Sequence, residues 1–301
     1  KPSHCARLRA EAGHPKPFNL KYIGIGNEDI ISDTFAVRYV RLIEAVKEKY
    51  PDITVCGTVG PFFEGSDYER GWQLAKEHHI DMVDEHYYVS PGWYIHNQDY
   101  YDQYDRGASK VYLGEDASHG RGRKSTIETA LTCAMHICSL ERNGDVVAMS
   151  SYAPLLAKHG HTQWNPDLIY FDNQHVYPTV DYQVQLMCGQ TQGNTYLPTS
   201  ASVSLGDDKH QADDTTARRI AVSTVRDSAS GRTYIKIVNL LPTAVNASLN
   251  ATGLELPTTA TVRQLTGAWD STDAQPTLDK AVDLTTHTMA LPPYSFTVIE
   301  Y

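Results

Sequence analysis

The sequence is short of closely spaced thiols, of long apolar runs and of positive charge, and each shortage removes a class of function. Its five cysteines include no CxxC pair. Cys133 and Cys138 lie five apart on a stretch with helical character and so point to different faces, which predicts free thiols, mostly buried. No apolar run approaches the roughly 18 residues that a membrane span needs, so no membrane partner is expected. Lysine and arginine number 26 against 36 aspartates and glutamates, a formal charge of −10. That leaves no basic stripe for a phosphate backbone, argues against nucleic acid and suits a neutral substrate. No HExxH motif is present, and His86, His119, His159 and His161 offer no stronger metal spacing than a single His-x-His. No metal and no cofactor are expected. Lys1 opens the chain without a signal-peptide pattern; a secreted or periplasmic protein is expected rather than a cytoplasmic one, its targeting segment outside these residues.

What is present is ample core and a repeating order of elements. With 41% hydrophobic and 21% charged residues, the chain can form one large domain or two smaller ones. The segment Lys21 to Asp29, KYIGIGNED, is a short apolar run that stops abruptly at Asn27 and Glu28. It reads as a buried parallel strand with polar groups at its C-terminal end. Lys110 to Asp116, KVYLGED, repeats the pattern and delivers Glu115 in the same place. Residues 1 to 20 read as an irregular connection, broken by Gly13 and Pro15. A helix is predicted from Asp33 to Tyr50, a strand at Ile53 to Gly57, a helix from Tyr68 to His79 and a strand at Ile80 to Tyr88. Helix is also predicted over 98 to 106, then, after the KVYLGED strand, from Ser125 to Arg142. A strand at Val146 to Ser151 and a helix at Asp181 to Cys188 complete five strand-then-helix units. From about Tyr196 the texture turns to Thr, Val, Ser and Ala, with alternation over Tyr234 to Val238 and Tyr294 to Val298, so an all-β sandwich is expected. The predicted division is 1–193 and 194–301. Asn246-Ala-Ser and Asn250-Ala-Thr match glycosylation acceptors, a pattern short enough to arise by chance in Ser/Thr-rich sequence.

Strand-end carboxylates are where barrel enzymes keep their chemistry, and two of them suggest a glycosidase pair. GNE at 26 to 28, DEHYY at 84 to 88, LGED at 113 to 116, SYAPLL at 151 to 156 and QWNPDLIYFDN at 163 to 173 together resemble the α-L-arabinofuranosidases of glycoside hydrolase family 51. The likeness runs from about Arg7 to Gly193. It implies a (β/α)8 barrel followed by a β-sandwich, and a retaining hydrolase that releases α-L-arabinofuranosyl groups from arabinose-containing oligo- or polysaccharides. Carried over by motif, Glu28 is the acid/base and Glu115 the nucleophile. Retention requires this pair: one carboxyl protonates the leaving oxygen while the other attacks the anomeric carbon. The resemblance also implies that Asn27 binds the sugar's 2-hydroxyl, that His86 and Tyr88 stand close to the nucleophile, and that Gln163 contacts arabinose. Trp164 then offers an apolar wall for the sugar ring.

Plain alternatives stand beside each assignment. Either glutamate serves equally well as a structural ion-pair partner, Asn27 as a helix N-cap, and Tyr87 as a barrel-lining aromatic. A non-catalytic carbohydrate-binding fragment, or a glycosidase acting on xylosides or glucans, are the rival functions. Asp116 departs from the family, which has an aromatic after the nucleophile; alternation predicts that it points away from Glu115 while adding charge nearby. The five units also fall short of the eight strands that close a barrel of about 250 residues. The first and fifth strands, around Ile23 and Val147, are therefore expected to be sheet edges. The missing barrel part is expected N-terminal to Lys1 or from a second chain in a homo-oligomer.

Overall fold

The computed structural model describes residues 3–206 and 210–301. The element order is α1 (His4–Glu11), β1 (Tyr22–Ile25), α2 (Asp33–Lys49), β2 (Thr54–Thr58), α3 (Ser66–Glu77), β3 (Met82–Val89), α4 (Pro91–His96), β4 (Lys110–Ser118), α5 (Ile127–Arg142), β5 (Val147–Tyr152), three short strands β6 (Leu156–Lys158), β7 (Ile169–Phe171) and β8 (Val176–Pro178), then α6 (Val180–Gln190). The β-rich remainder comprises β9 (Thr195–Leu197), a single helical turn α7 (Asp214–Ala217), β10 (Ile220–Arg226), β11 (Thr233–Asn239), β12 (Val245–Ser248), β13 (Thr259–Thr266), β14 (Thr277–Asp283), β15 (Thr288–Leu291) and β16 (Ser295–Glu300).

Strands β1 to β5 form one sheet in sequence order, with β1 and β5 at its edges as expected. Each helical crossover returns the chain to a parallel neighbour, and β1–β2 and β2–β3 pair in parallel. The chain divides into two compact units, Lys1–His86 with Gly107–Leu113, and Tyr87–Arg106 with Gly114–Tyr301.

In the first unit, α2 starts where Ser32 accepts a hydrogen bond from the Phe35 amide. Its inward stripe of Ala36, Tyr39 and Ile43 is buried. Tyr39 lies so close over Gly57 that a Cβ there would stand 1.7 Å from the phenolic oxygen. That hydroxyl donates to the Thr58 carbonyl at 3.2 Å. The N-terminal twenty residues are not wholly irregular: α1 forms behind a Ser3 cap but buries no residue. Lacking an apolar face, it left no periodic signal.

The second unit contains the β-rich region. Strands β14-β13-β16-β11-β10-β9 make a six-stranded sheet, and β12 pairs with β15. Every pairing in these two sheets is antiparallel. One face of the large sheet packs Ile235, Ile237, Val262 and Ile299 against Ala247, Met289 and Leu291 of the small one. The other face packs Val225, Val238, Leu265, Phe296 and Val298 against Ile127, Leu131 and Met135 of α5 and Val184 and Met187 of α6. The alternation over Tyr234 to Val238 therefore does not separate a wet face from a dry one, because β11 is buried along its whole length. Lys236 is fully buried, ion-paired with Glu141 of α5 and donating to the Thr191 carbonyl at 2.8 Å.

Two further differences from the sequence reading lie in this unit. The helix expected over 98 to 106 is a short 3-10 turn at Tyr100–Gln103, and α4 precedes it, capped by Ser90 with Pro91 in its first turn. Strands β6, β7 and β8 make a separate small sheet, each too short for a period to show. Four of the five free cysteines are buried and Cys5 is exposed.

Candidate active site

The first unit holds Glu28 on a strained turn. Gly26 and Glu28 both take positive φ, +85° and +52°, and for a non-glycine residue this left-handed region costs on the order of 1 kcal/mol or more. A Cβ on Gly26 would meet the Thr58 methyl at 2.4 Å and the Asp29 carboxylate at 2.7 Å, so the GNE turn requires its glycine. The Asn27 amide donates to Asp29 Oδ2 at 2.8 Å. Asn27 is exposed and does not cap α2, whose N-cap is Ser32. The plain alternative for Asn27 is thereby removed.

Alternation along β3 places Asp84 and His86 on one face and Glu85 on the other. Glu85 is fully buried and accepts from the Trp72 indole at 3.0 Å. His86, 2% exposed, has Nδ1 3.0 Å from Glu28 Oε1 and Nε2 3.1 Å from Asp84 Oδ2. An imidazole with a carboxylate on each nitrogen is held in both tilt and rotation.

In the second unit, the Tyr88 hydroxyl donates to Glu115 Oε2 at 2.6 Å. This bond fixes the orientation of the Glu115 carboxyl on β4. His119 lies flat on the Tyr88 ring, centroids 5.1 Å apart and planes 12° apart. Burial pushes the His119 imidazole down to about 4, so it is a neutral plate steadying the phenol. That role was not visible in the sequence, where His119 counted only as a metal-ligand candidate.

Asp116 points away from Glu115, as alternation predicts. It is 7% exposed and accepts from the Tyr94 hydroxyl at 3.4 Å. Burial raises its carboxyl to about 7, so the added charge expected beside Glu115 is largely suppressed below neutral pH. Tyr87 is also buried on the far side of β3, its hydroxyl 2.9 Å from both Tyr101 Oη and His136 Nε2. Gln163 and Trp164 sit on the loop between β6 and β7. The Trp164 backbone is held by the Thr162 hydroxyl, which accepts from its amide at 3.2 Å and donates to its carbonyl at 3.0 Å. The Trp164 side chain is 64% exposed and thus not packed as a wall against protein. Among the described residues neither Gln163 nor Trp164 hydrogen-bonds to Tyr88 or Glu115.

Residues 1–106 match the model of the alpha-L-arabinofuranosidase 1 domain, and residues 93–295 match that of the alpha-L-arabinofuranosidase C-terminal domain. The chain belongs to the α-L-arabinofuranosidases of glycoside hydrolase family 51. Among its relatives in this family, an extracellular exo-alpha-L-arabinofuranosidase of Streptomyces chartreusis is 42% identical over 202 residues, covering 67% of this chain and 24% of the relative. Alpha-L-arabinofuranosidase 1 of Arabidopsis thaliana is 29% identical over 251 residues, 82% of this chain and 34% of the relative. The chain thus spans a quarter to a third of these relatives' lengths. An arabinose-bound family 51 α-L-arabinofuranosidase structure superposes with a TM-score of 0.84 at 27% identity, over 99% of this chain and 48% of that one. The enzyme from Thermotoga petrophila RKU-1 superposes with a TM-score of 0.76 at 19% identity, over 100% and 70%, a likeness of fold.

Proposed function

We propose that this chain carries the catalytic pair of a retaining α-L-arabinofuranosidase acting on terminal arabinofuranosyl groups of oligo- or polysaccharides. In this reading residues 1–193 are the C-terminal part of the barrel and residues 194–301 the sandwich. The observation that carries it is the 2.6 Å bond that the Tyr88 hydroxyl donates to Glu115 Oε2, which orients the carboxylate of a residue in the C-terminal half of β4. Family membership supplies the substrate class.

In the first step Glu115 attacks the anomeric carbon while Glu28 gives its proton to the departing oxygen, leaving a glycosyl ester on Glu115. In the second, Glu28 takes a proton from water, the resulting oxygen attacks the anomeric carbon, and Glu115 departs as carboxylate. Asn27 is assigned to the 2-hydroxyl, where a hydrogen bond strengthens in the transition state. Gln163 and Trp164 are assigned to the sugar from their exposed loop. The exposed edge of β1 is where further barrel strands would pair, supplied by a longer chain or a second copy.

The test is a panel of nitrophenyl glycosides with the full-length protein. Activity confined to the α-L-arabinofuranoside is expected, with Glu115→Ala abolishing turnover. Glu28→Ala should spare substrates with good leaving groups, which need little protonation, and azide should partly restore it. Equal loss in both variants on every substrate, with no effect of azide, would overturn the roles. Preference for a xyloside would replace the sugar, and binding without turnover would leave a carbohydrate-binding fragment.

A further inference from the structure

Glu28 is held through His86, and His86 is held through Asp84. We infer that Asp84 is a positioning residue for the acid/base: its carboxylate fixes the hydrogen on His86 Nε2, so that Nδ1 and Glu28 Oε1 have a single proton to share. This rests on the assignment of Glu28 as acid/base.

Three observations carry it. Asp84 and His86 are two apart on β3 and so share a face. His86 is almost fully buried, with 3.1 Å from Nε2 to Asp84 Oδ2 and 3.0 Å from Nδ1 to Glu28 Oε1. The other Asp84 oxygen, Oδ1, is buried and accepts no hydrogen bond among the described residues, so His86 is the group on which this carboxylate acts. The neighbouring Tyr39 and Cys56 are raised chiefly by burial and further by the Asp84 charge. They are neutral neighbours and do not compete with His86 as cationic partners.

The chemistry follows from donor and acceptor roles. A charged carboxylate only accepts, so Nε2 must donate. In a neutral ring Nδ1 is then a bare acceptor, and the contact with Glu28 is favourable when Glu28 is the protonated partner. That is the form the first step consumes. When the glycosidic bond breaks, the proton passes from Glu28 to the leaving oxygen and the bond's electron pair goes with that oxygen. The Nε2 hydrogen stays in place. Water later returns a proton to Glu28.

Asp84→Asn separates this role from a structural one, because an amide can donate to Nε2 and so drive the hydrogen to Nδ1. The Nδ1 hydrogen would then hold Glu28 as an acceptor, the wrong form for the first step. In the full-length protein, kcat for poor leaving groups should fall about 100-fold, with KM and the turnover of good leaving groups little changed. Asp84→Glu should recover part of the loss. Histidine 15N NMR, with His86 assigned by His86→Gln, should show the hydrogen on Nε2 in the parent and on Nδ1 in Asp84→Asn. An unchanged tautomer, or equal loss on good and poor leaving groups, would overturn the inference. A parent protein inactive on arabinofuranosides would sink the functional reading, while the NMR comparison would still decide the placement of the hydrogen. If Asp84→Asn does not fold, the parent spectrum and Asp84→Glu decide it: hydrogen on Nδ1 of the parent refutes it.

Discussion

Asp116 makes the stability of this fold depend on pH in a direction opposite to that of a salt-bridged carboxylate. Its carboxyl is buried, receives one long hydroxyl contact from Tyr94 at 3.4 Å, and is raised from its ordinary value of 3.8 to about 7. The native state therefore binds a proton that the unfolded state has already released between pH 4 and 7. Stability is full below the unfolded value and is lost as pH rises through the folded one. At about 1.36 kcal/mol per pH unit the loss from this group approaches about 4 kcal/mol. Asn is nearly isosteric with the protonated acid and does not titrate. Urea unfolding of the parent and Asp116→Asn at intervals from pH 3.5 to about 8.5 measures the difference, with contributions from other carboxyls, including Asp181, cancelling between the two. The variant should gain on the parent steadily from pH 4 to 7 and then level off. Parallel curves would show that Asp116 ionises inside the fold without penalty, and would refute the argument.

Other perturbations follow from contacts already described. Tyr88→Phe removes the donor to Glu115 and should slow turnover by about 10- to 100-fold, the value of a hydrogen bond to a charged group, with the ring still stacked on His119; kcat on a nitrophenyl arabinofuranoside measures it. Lys236→Ala leaves Glu141 without its ion-pair partner and should destabilise by about 3–5 kcal/mol, whereas Lys236→Met together with Glu141→Gln should cost much less; urea midpoints compare them. Turnover should survive EDTA, since both proposed steps run on carboxylates; loss restored by zinc or calcium would revive the histidine reading.

The strands β1, β2 and β4 were legible because each apolar run is followed by a long helix, with a 3.6-residue stripe such as Ala36, Tyr39 and Ile43 in α2. Glu28 and Glu115 stood out because each ends such a run. Contacts that depend on three-dimensional approach were not legible. His119 joins Tyr88 by stacking across 31 positions of sequence, and no spacing rule announces that. Asp84 was hidden in DEHYY, where the adjacent Glu85 looks equally available until alternation sends it into the core. The helix α4 did leave a mark, since Ser90-Pro91 is an N-cap followed by a first-turn proline. In β11 the alternation over Tyr234 to Val238 gave no sign that Lys236 is buried, because the sequence did not reveal that α5 and α6 cover that face.

The helical cover over the large antiparallel sheet has a consequence for recombination. Helices α5 and α6 present one side to β10, β11 and β16, and α5 also supplies Glu141 to Lys236. Exchanging residues 194–301 between family members would thus exchange half of a packed interface. Offspring of such a crossover inherit mismatched side chains at Leu131, Met135, Val238 and Phe296 unless the helices travel with the strands. Variation on the two sides of residue 193 should therefore be correlated, and a successful graft should begin upstream of α5.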